Sequence, residues 1–485
     1  MMSSERQEIA RTQAQSASLP RELRLKDLAL LQVLFIVGLQ FSGYAAKQGG
    51  THVVLWLLAI PLFYLPLAAV VIFLSRRLPL EGGAYQWAKF GLSPFAGFQS
   101  AWNYSFFLIL VYSGSGSIVL NSFSYLIGPR AAWMPSNKPL ILASSVGFFA
   151  LVLWIDVHGF HVGRLFTGAG GVIIIGLFTL IVSLLLLRVL RGEPFAERPL
   201  TFAWPAITLA SLNLFTKMAF NALSGFEQVA IFAGECKTPE RNIARSVWIA
   251  APAIVVMYIF GTAALLAYTP SGRIDLIAPI AQLLGAALGA STLGNLLGAT
   301  AILALLFAAF AQAVACVAQV SRLPMVAGWD GLLPGWFSVL HPRFRTPVRA
   351  LWCVVAACVI FGAASLIQAG EQEATQLLFG VAFGCCGIYY LILFAVVLWG
   401  RWDGEHRAPW WLKMPLKVAA CSAAAVTVLS VVFQVVPILD VAQPFLFAAK
   451  VGGMMVLLNG IGAWIYMRGR NRYVVGQYGE RIPLA

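Results

Sequence analysis

Apolar residues in this chain fall in long unbroken runs, separated by short polar stretches that carry most of the charge. Twelve such segments cover about 27–47, 53–75, 95–127, 138–158, 164–187, 206–234, 246–268, 292–320, 347–369, 376–400, 415–437 and 444–467. A helix needs about 20 apolar residues to cross a bilayer, and these runs supply it. The runs are continuous rather than alternating, which predicts spanning helices and argues against a membrane β-barrel. Residues 276–290 read as a short amphipathic helix within a loop.

Composition narrows the class further. The chain has 485 residues, 60% apolar and 11% charged, with a mean hydropathy of +0.82. Soluble domains carry roughly 25% charge, and so much apolar side chain could not be hidden from water in a soluble enzyme. Disorder is excluded for the same reason. Aromatics at 13% and 44 glycines suit closely packed helices.

The net charge of +14 would suggest nucleic acid in a soluble protein. Here basic residues mark the loops that stay in the cytoplasm, and no nucleic-acid partner is expected. With both termini inside, Lys and Arg divide 24 inside to 7 outside, with Lys217 and Lys450 in spans. Residues 1–26 form a polar tail ending in Arg21, Arg24 and Lys26, with no cleavage site after it, so the first segment is expected to act as signal and span together. Seven cysteines, an odd number without a CxxC pair, read as buried thiols. His158 and His161 alone do not make a metal site, so no metal or cofactor is expected. No phosphate loop, dinucleotide-binding glycine motif or catalytic triad is present.

Two spans share an unusual feature. Segment 1 reads Val37-Gly38-Leu39-Gln40-Phe41-Ser42-Gly43-Tyr44, and segment 6 reads Asn221-Ala222-Leu223-Ser224-Gly225-Phe226-Glu227. Each has a Ser-Gly pair near mid-span, five segments apart. Glycine weakens a helix by about 1 kcal/mol relative to alanine. An unwound stretch at membrane depth is tolerated only where it lines a cavity, and it exposes amide donors and carbonyl acceptors. Those groups suit a zwitterion, and matched breaks in two halves point to a transporter's substrate site. Close helix packing through small residues is the other reading of the same pattern.

Three blocks carry a resemblance to a known family. The first is Leu74-Ser75-Arg76-Arg77-Leu78-Pro79-Leu80-Glu81-Gly82-Gly83-Ala84-Tyr85-Gln86-Trp87, followed by Gly91 and Gly97-Phe98. The second runs from Ser224-Gly225-Phe226-Glu227 to Gly234-Glu235-Cys236-Lys237-Thr238-Pro239-Glu240-Arg241-Asn242-Ile243. The third is Ser321-Arg322-Leu323-Pro324, Ala327-Gly328-Trp329-Asp330-Gly331-Leu332-Leu333-Pro334, His341-Pro342 and Thr346-Pro347. Together they resemble the amino acid–polyamine–organocation transporters over roughly residues 27–400.

That resemblance implies an all-α polytopic membrane protein of the LeuT type, with a 5+5 inverted repeat and 12 transmembrane helices. Residues 1–26 would be a cytoplasmic tail, 27–190 the first repeat, 191–205 an extracellular loop, 206–400 the second repeat, 401–468 accessory and 469–485 a cytoplasmic tail. It further implies that Ser42 and Gly43 hold a substrate carboxylate, with Phe41 replacing a family glycine. Leu39, Asn221, Ala222 and Ser224 would offer carbonyls to an ammonium. Gly38 and Gly225 complete the expected substrate site. Many members place a gating aromatic at the position of Asn221; the nearest here is Phe220.

Lys217 and Glu227 are the two clearest ionisable groups at depth and the candidates for coupling. A charge at mid-bilayer costs about 2.5–3.5 kcal/mol on insertion scales, so such groups face the bundle interior or snorkel. Lys217 reads as a substrate or proton residue, or as a snorkelling lysine; Glu227 as a proton relay, or as a structural acceptor. Proton-coupled relatives often carry a lysine on segment 5, where this chain has Gly168-Ala169-Gly170-Gly171-Val172. Small hydroxyls that serve sodium on segment 8 are missing between Gln312 and Cys316.

The expected function is alternating-access transport of an amino acid or related amine across the cell membrane, with the substrate, the lipid bilayer and protons as expected partners; an amino acid exchanger or a polyamine carrier on the same fold is the alternative. A polyamine carrier would need more carboxylates at depth than Glu227 alone. A nutrient receptor on the same fold would carry a longer cytoplasmic tail, and a membrane enzyme would show clustered acids or histidines.

Overall fold

The computed structural model describes residues 2–17, 19, 21–38, 40–276, 279–288, 292–368, 371–400, 410–435, 443–470, 473–475 and 481–483. Leu39 and the basic residues Arg401 and Arg407 lie outside them. Among the described residues ten helices are long and apolar enough to cross a membrane: Gly49–Arg77, Pro94–Ile127, Lys138–Val157, Val162–Leu190, Pro239–Tyr268, Gly294–Trp329, Val348–Leu366, Gln376–Trp399, Met414–Gln434 and Pro444–Arg470. They correspond to segments 2–5 and 7–12. Segments 1 and 6 are interrupted helices, which accounts for the remaining two of the twelve. The expected loop helix spans Pro279–Leu288.

Local sequence explains the ends. Ser93 accepts from the Ala96 amide at 3.2 Å, and Asn137 from the Leu140 amide at 3.1 Å, each capping a helix whose first turn holds a proline. In lipid every backbone group must be satisfied internally, so such runs have no alternative to helix.

The packing repeats itself with an offset of five. Segment 1 packs on 7 and segment 2 on 6; segment 3 packs on 10 and segment 5 on 8. Segment 4 packs on 9 and segment 3 on 8, pairs that map onto themselves. This is the contact pattern of two five-helix halves wrapped around segments 1 and 6. Segment 11 lies against segments 2 and 10, and segment 12 against 3 and 10. The largest wholly buried side chains, among them Trp56, Tyr64, Tyr104, Tyr258, Tyr389, Tyr390, Phe220 and Phe226, lie in and around this centre.

Two expectations are corrected, those for the segment 1 break and for the cysteines, and the polar tail gains an element. The segment 1 interruption falls after Ile36, where the helix Leu25–Ile36 ends, and the helix resumes at Gln40–Ala46. The Ser42-Gly43 pair therefore lies in the second half-helix, past the break. The N-terminal tail holds a helix, Met2–Ala17, packed beneath the bundle with Thr12, Ser16 and Leu19 buried. Finally, the cysteines are all free, but Cys353 and Cys421 are exposed. Near the C-terminus, Tyr473–Val475 pairs antiparallel with Arg481–Pro483.

Candidate functional site

Segment 6 changes character along its length. The α-helix Leu209–Thr216 widens into a π-turn over Lys217–Ala222, breaks at Leu223–Gly225, and continues as a tight helix over Phe226–Glu235. Gly225 makes the break possible. Its φ is +129°, and a Cβ there would lie 2.9 Å from Ile36 and 3.0 Å from the Gln228 amide nitrogen.

One side chain joins the two breaks. The hydroxyl of Tyr258, on segment 7, donates towards the carbonyl oxygens of Ile36 at 2.7 Å and Ala222 at 3.1 Å, and accepts from the Gly38 amide at 3.0 Å. Interrupted helices leave such groups without intrahelical partners. Gln312 on segment 8 donates to the Leu34 carbonyl at 2.7 Å, serving the end of the same half-helix.

A cavity of about 740 Å³ lies beside the breaks. Of the expected substrate residues, Gly38, Phe41, Asn221 and Ser224 line it. Ser42, Gly43, Phe220, Ala222 and Gly225 do not line it, and Leu39 is outside the described residues. Phe220 turns the other way, edge-on to Phe63 and Tyr390. Gly43 meets the loop helix, where a Cβ would sit 3.1 Å from Pro279. Phe41 stays at the cavity, edge-on to Phe383 with centroids 6.0 Å apart. The walls add Phe107, Tyr112, Gln228, Gln312, Cys316 and Phe383. Towards the face away from the N-terminal helix, Lys47, Ser117, Asn121, Arg273 and Asp275 line its mouth.

The opposite face is sealed. Gln319 donates to the Gln228 carbonyl at 2.6 Å and accepts from Tyr104 at 2.9 Å. Beyond them Arg322 meets Glu235 at 2.7 Å and Glu81 at 3.7 Å, while Glu81 accepts from the Gly234 amide at 2.8 Å. Burial, with Glu235 beside it, pushes the Glu81 carboxyl well above the usual carboxylate range, against the opposing pull of Arg322. Lys89 then bridges Asp330 at 2.7 Å and Glu8 of the N-terminal helix at 2.8 Å. Asp156 is also buried near Arg322, beside a smaller pocket lined by Arg164 and Thr167.

The two coupling candidates, Lys217 and Glu227, are both buried and both held by segments outside their own helix. Glu227 accepts from the Tyr390 hydroxyl at 2.7 Å. The Lys217 ammonium donates to Gln434 Oε1 on segment 11 at 2.6 Å. The same amide's Nε2 donates to Asn221 Oδ1 at 3.1 Å and to Ser430 at 3.0 Å. Among the described residues no three His, Cys, Asp or Glu side chains gather as a metal site.

Tyr258, Gln312, Gln319, Tyr390 and Gln434 were not singled out in the sequence. Each sits within a largely apolar run, and only the fold shows what it faces. Tyr258 and Gln434 had one available signal: a polar group at membrane depth needs a partner.

The family model for amino acid permeases matches residues 28–458. The chain is 25% identical to the methylthioribose transporter of Bacillus subtilis over 82% of this chain and 85% of the relative. It is 27% identical to the low-affinity putrescine importer PlaP of Escherichia coli over 59% of this chain and 62% of the relative. Among solved structures it resembles MhsT in complex with L-phenylalanine, with a TM-score of 0.58, 15% identity and coverage of 92% of this chain and 100% of that one. At that identity the likeness speaks to the fold, which is the LeuT type, and agrees with the five-offset packing. With two interrupted helices meeting at one cavity in a multi-pass bundle, the chain belongs to the amino acid permease family.

Proposed function

We propose that this protein carries an amino acid across the cell membrane by alternating access, with both termini in the cytoplasm, and that the conformation seen is its outward-open state. One observation carries the reading: the cavity beside both helix breaks has its mouth on one face, while Arg322, Glu81 and Glu235 close the other. Residues 27–190 and 206–400 form the two halves that rock against one another. The basic loops containing Lys89, Arg164 and Arg322 lie with the N-terminal segment, which supports a common face for them. No step of bond chemistry is assigned to the site; the protein acts as a carrier rather than an enzyme.

Ser42, whose buried hydroxyl has no partner among the described residues, and Gly43 lie in the first turns of the half-helix Gln40–Ala46. Their role in this reading is to bring amide donors to the substrate carboxylate from behind Phe41. Carbonyls of segment 6 around Asn221 and Ser224 receive the ammonium. Lys217 and Glu227 stand as coupling candidates.

A polyamine carrier is the second reading, favoured by the putrescine importer among the relatives. A second ammonium would require a second counter-charge. Among the described lining residues the one carboxylate is Asp275 at the mouth, already bonded by Tyr125. A singly charged ammonium fits the centre better. Thermal-shift screening of the purified protein against twenty amino acids and the common diamines separates the two, and uptake into proteoliposomes then tests transport. Stabilisation by diamines alone would overturn the amino acid reading.

A further inference from the structure

Asn221 stands where a gating aromatic is expected, yet it is tied back to segment 11. The tie has a direction. A lysine ammonium offers three donors and no acceptor. Lys217 therefore requires an oxygen from Gln434, and Oε1 is the atom it meets at 2.6 Å. Gln434 must then present Nε2 on its other side, where it donates to Asn221 Oδ1 at 3.1 Å and Ser430 Oγ at 3.0 Å. Asn221 has its acceptor occupied, and its Nδ2 has no hydrogen-bond partner among the described residues. The side chain is only 7% exposed, and the space it borders is the cavity.

We infer that Asn221 Nδ2 is a hydrogen-bond donor to the substrate carboxylate, oriented from behind by the Lys217–Gln434 pair of segments 6 and 11. The inference rests on the cavity being the substrate site. It gives the accessory segment 11 a part in recognition: Gln434 is a positioning residue, and Asn221 a specificity-determining one. The carboxylate is the acceptor-only group of an amino acid, so a fixed donor favours it over any group that itself donates. Beside Asn221 the π-turn packs directly on the half-helix Gln40–Ala46. No carboxylate of the protein stands among the central lining residues to compete for the Asn221 donor.

Two isosteric changes test the direction of the tie. In Asn221→Asp the cavity-facing atom becomes an acceptor. In Gln434→Glu, Asn221 must turn Nδ2 back towards the new carboxylate and offer Oδ1 to the cavity. The measurement is the dissociation constant of the best-bound amino acid and of its carboxamide analogue, on full-length protein, with the unfolding temperature of the free variants as a folding check. Both variants should weaken the acid by about tenfold and shift the acid-to-amide preference towards the amide. Gln434→Met, which loses the tie without reversing it, should fall between. Wild-type affinity and preference in both isosteric variants, or an equal loss for acid and amide, would overturn the inference while leaving the transport reading intact. If the wild type binds no amino acid, the transport reading fails and takes this inference with it.

Discussion

The Gly38 amide donates to the hydroxyl of Tyr258 across 3.0 Å of protein interior, and that contact links the first interrupted helix to segment 7. The same oxygen reaches carbonyls of both interrupted helices, so one side chain holds the two breaks at a common distance. Tyr258→Phe keeps the ring stacked on Trp56 at 4.9 Å and removes only the hydroxyl. Leaving buried backbone groups short of a partner costs roughly 1–3 kcal/mol. Tyr258→Phe should lower the unfolding temperature and reduce uptake, and unchanged values of both would show that the breaks hold themselves.

Gly225→Val should abolish uptake. The added branches meet Ile36 and Gln228, at a φ of +129° that a β-branched residue does not adopt without strain. Gly43→Val should also impair uptake, through a clash with Pro279 of the loop helix. Surface expression separates failure to insert from failure to transport. Normal uptake in either variant at wild-type expression would remove that glycine from the working site.

Arg322 is the cation shared by Glu81 and Glu235 on the sealed face. Removing one partner of a buried ion pair typically costs about 3–5 kcal/mol, because the remaining charge is left unpaired. Arg322→Gln should therefore destabilise the sealed state and raise labelling of cysteines placed on that side of the cavity. Glu81 adds a pH dependence. Its carboxyl titrates above its unfolded value, so the folded chain binds the extra proton, and stability falls as pH rises from the ordinary carboxylate range through the folded pKa. Glu81→Gln should flatten that slope in thermal-unfolding curves taken across the window.

Glu227 and Lys217 separate in uptake measurements with and without an imposed proton gradient. Glu227→Gln retains an oxygen for the Tyr390 hydroxyl and should keep most activity and its response to the gradient. Lys217→Ala should lose any gradient response that the wild type has. Loss of that response in Glu227→Gln alone would make Glu227 the proton carrier; no response in the wild type would point to exchange.

Orientation is testable by labelling. Cysteines introduced at Arg77 or Arg345, in a background without native cysteines, should be protected from an impermeant reagent added outside. Labelling of either from outside would reverse the assigned orientation.

The sequence by itself determined how many times the chain is apolar enough to span, where the loops fall, and that segments 1 and 6 are weak helices. Those follow from local causes: burial in lipid demands unbroken apolar runs, and Ser-Gly pairs weaken a helix wherever they stand. The segment 6 break at Ser224-Gly225 was legible for that reason. In segment 1 the break moved to the residues after Ile36, because a partner outside the segment, Tyr258, stabilises the loose groups there. The side on which Phe220 and Asn221 present themselves depends on the π-turn, which rotates the register of the helix and carries no sequence mark of its own. Lys217 looked unpartnered along the chain, since Gln434 is 217 residues away. The N-terminal helix is not legible in the polar tail, because its buried face is small and polar, Thr12 and Ser16, and its partners, the Glu81 amide and the Lys89 ammonium, come from a distant part of the chain. What the tertiary structure alone decided were the pairings between distant residues, because hydrogen-bond geometry is set by which helices become neighbours and not by the composition of either one.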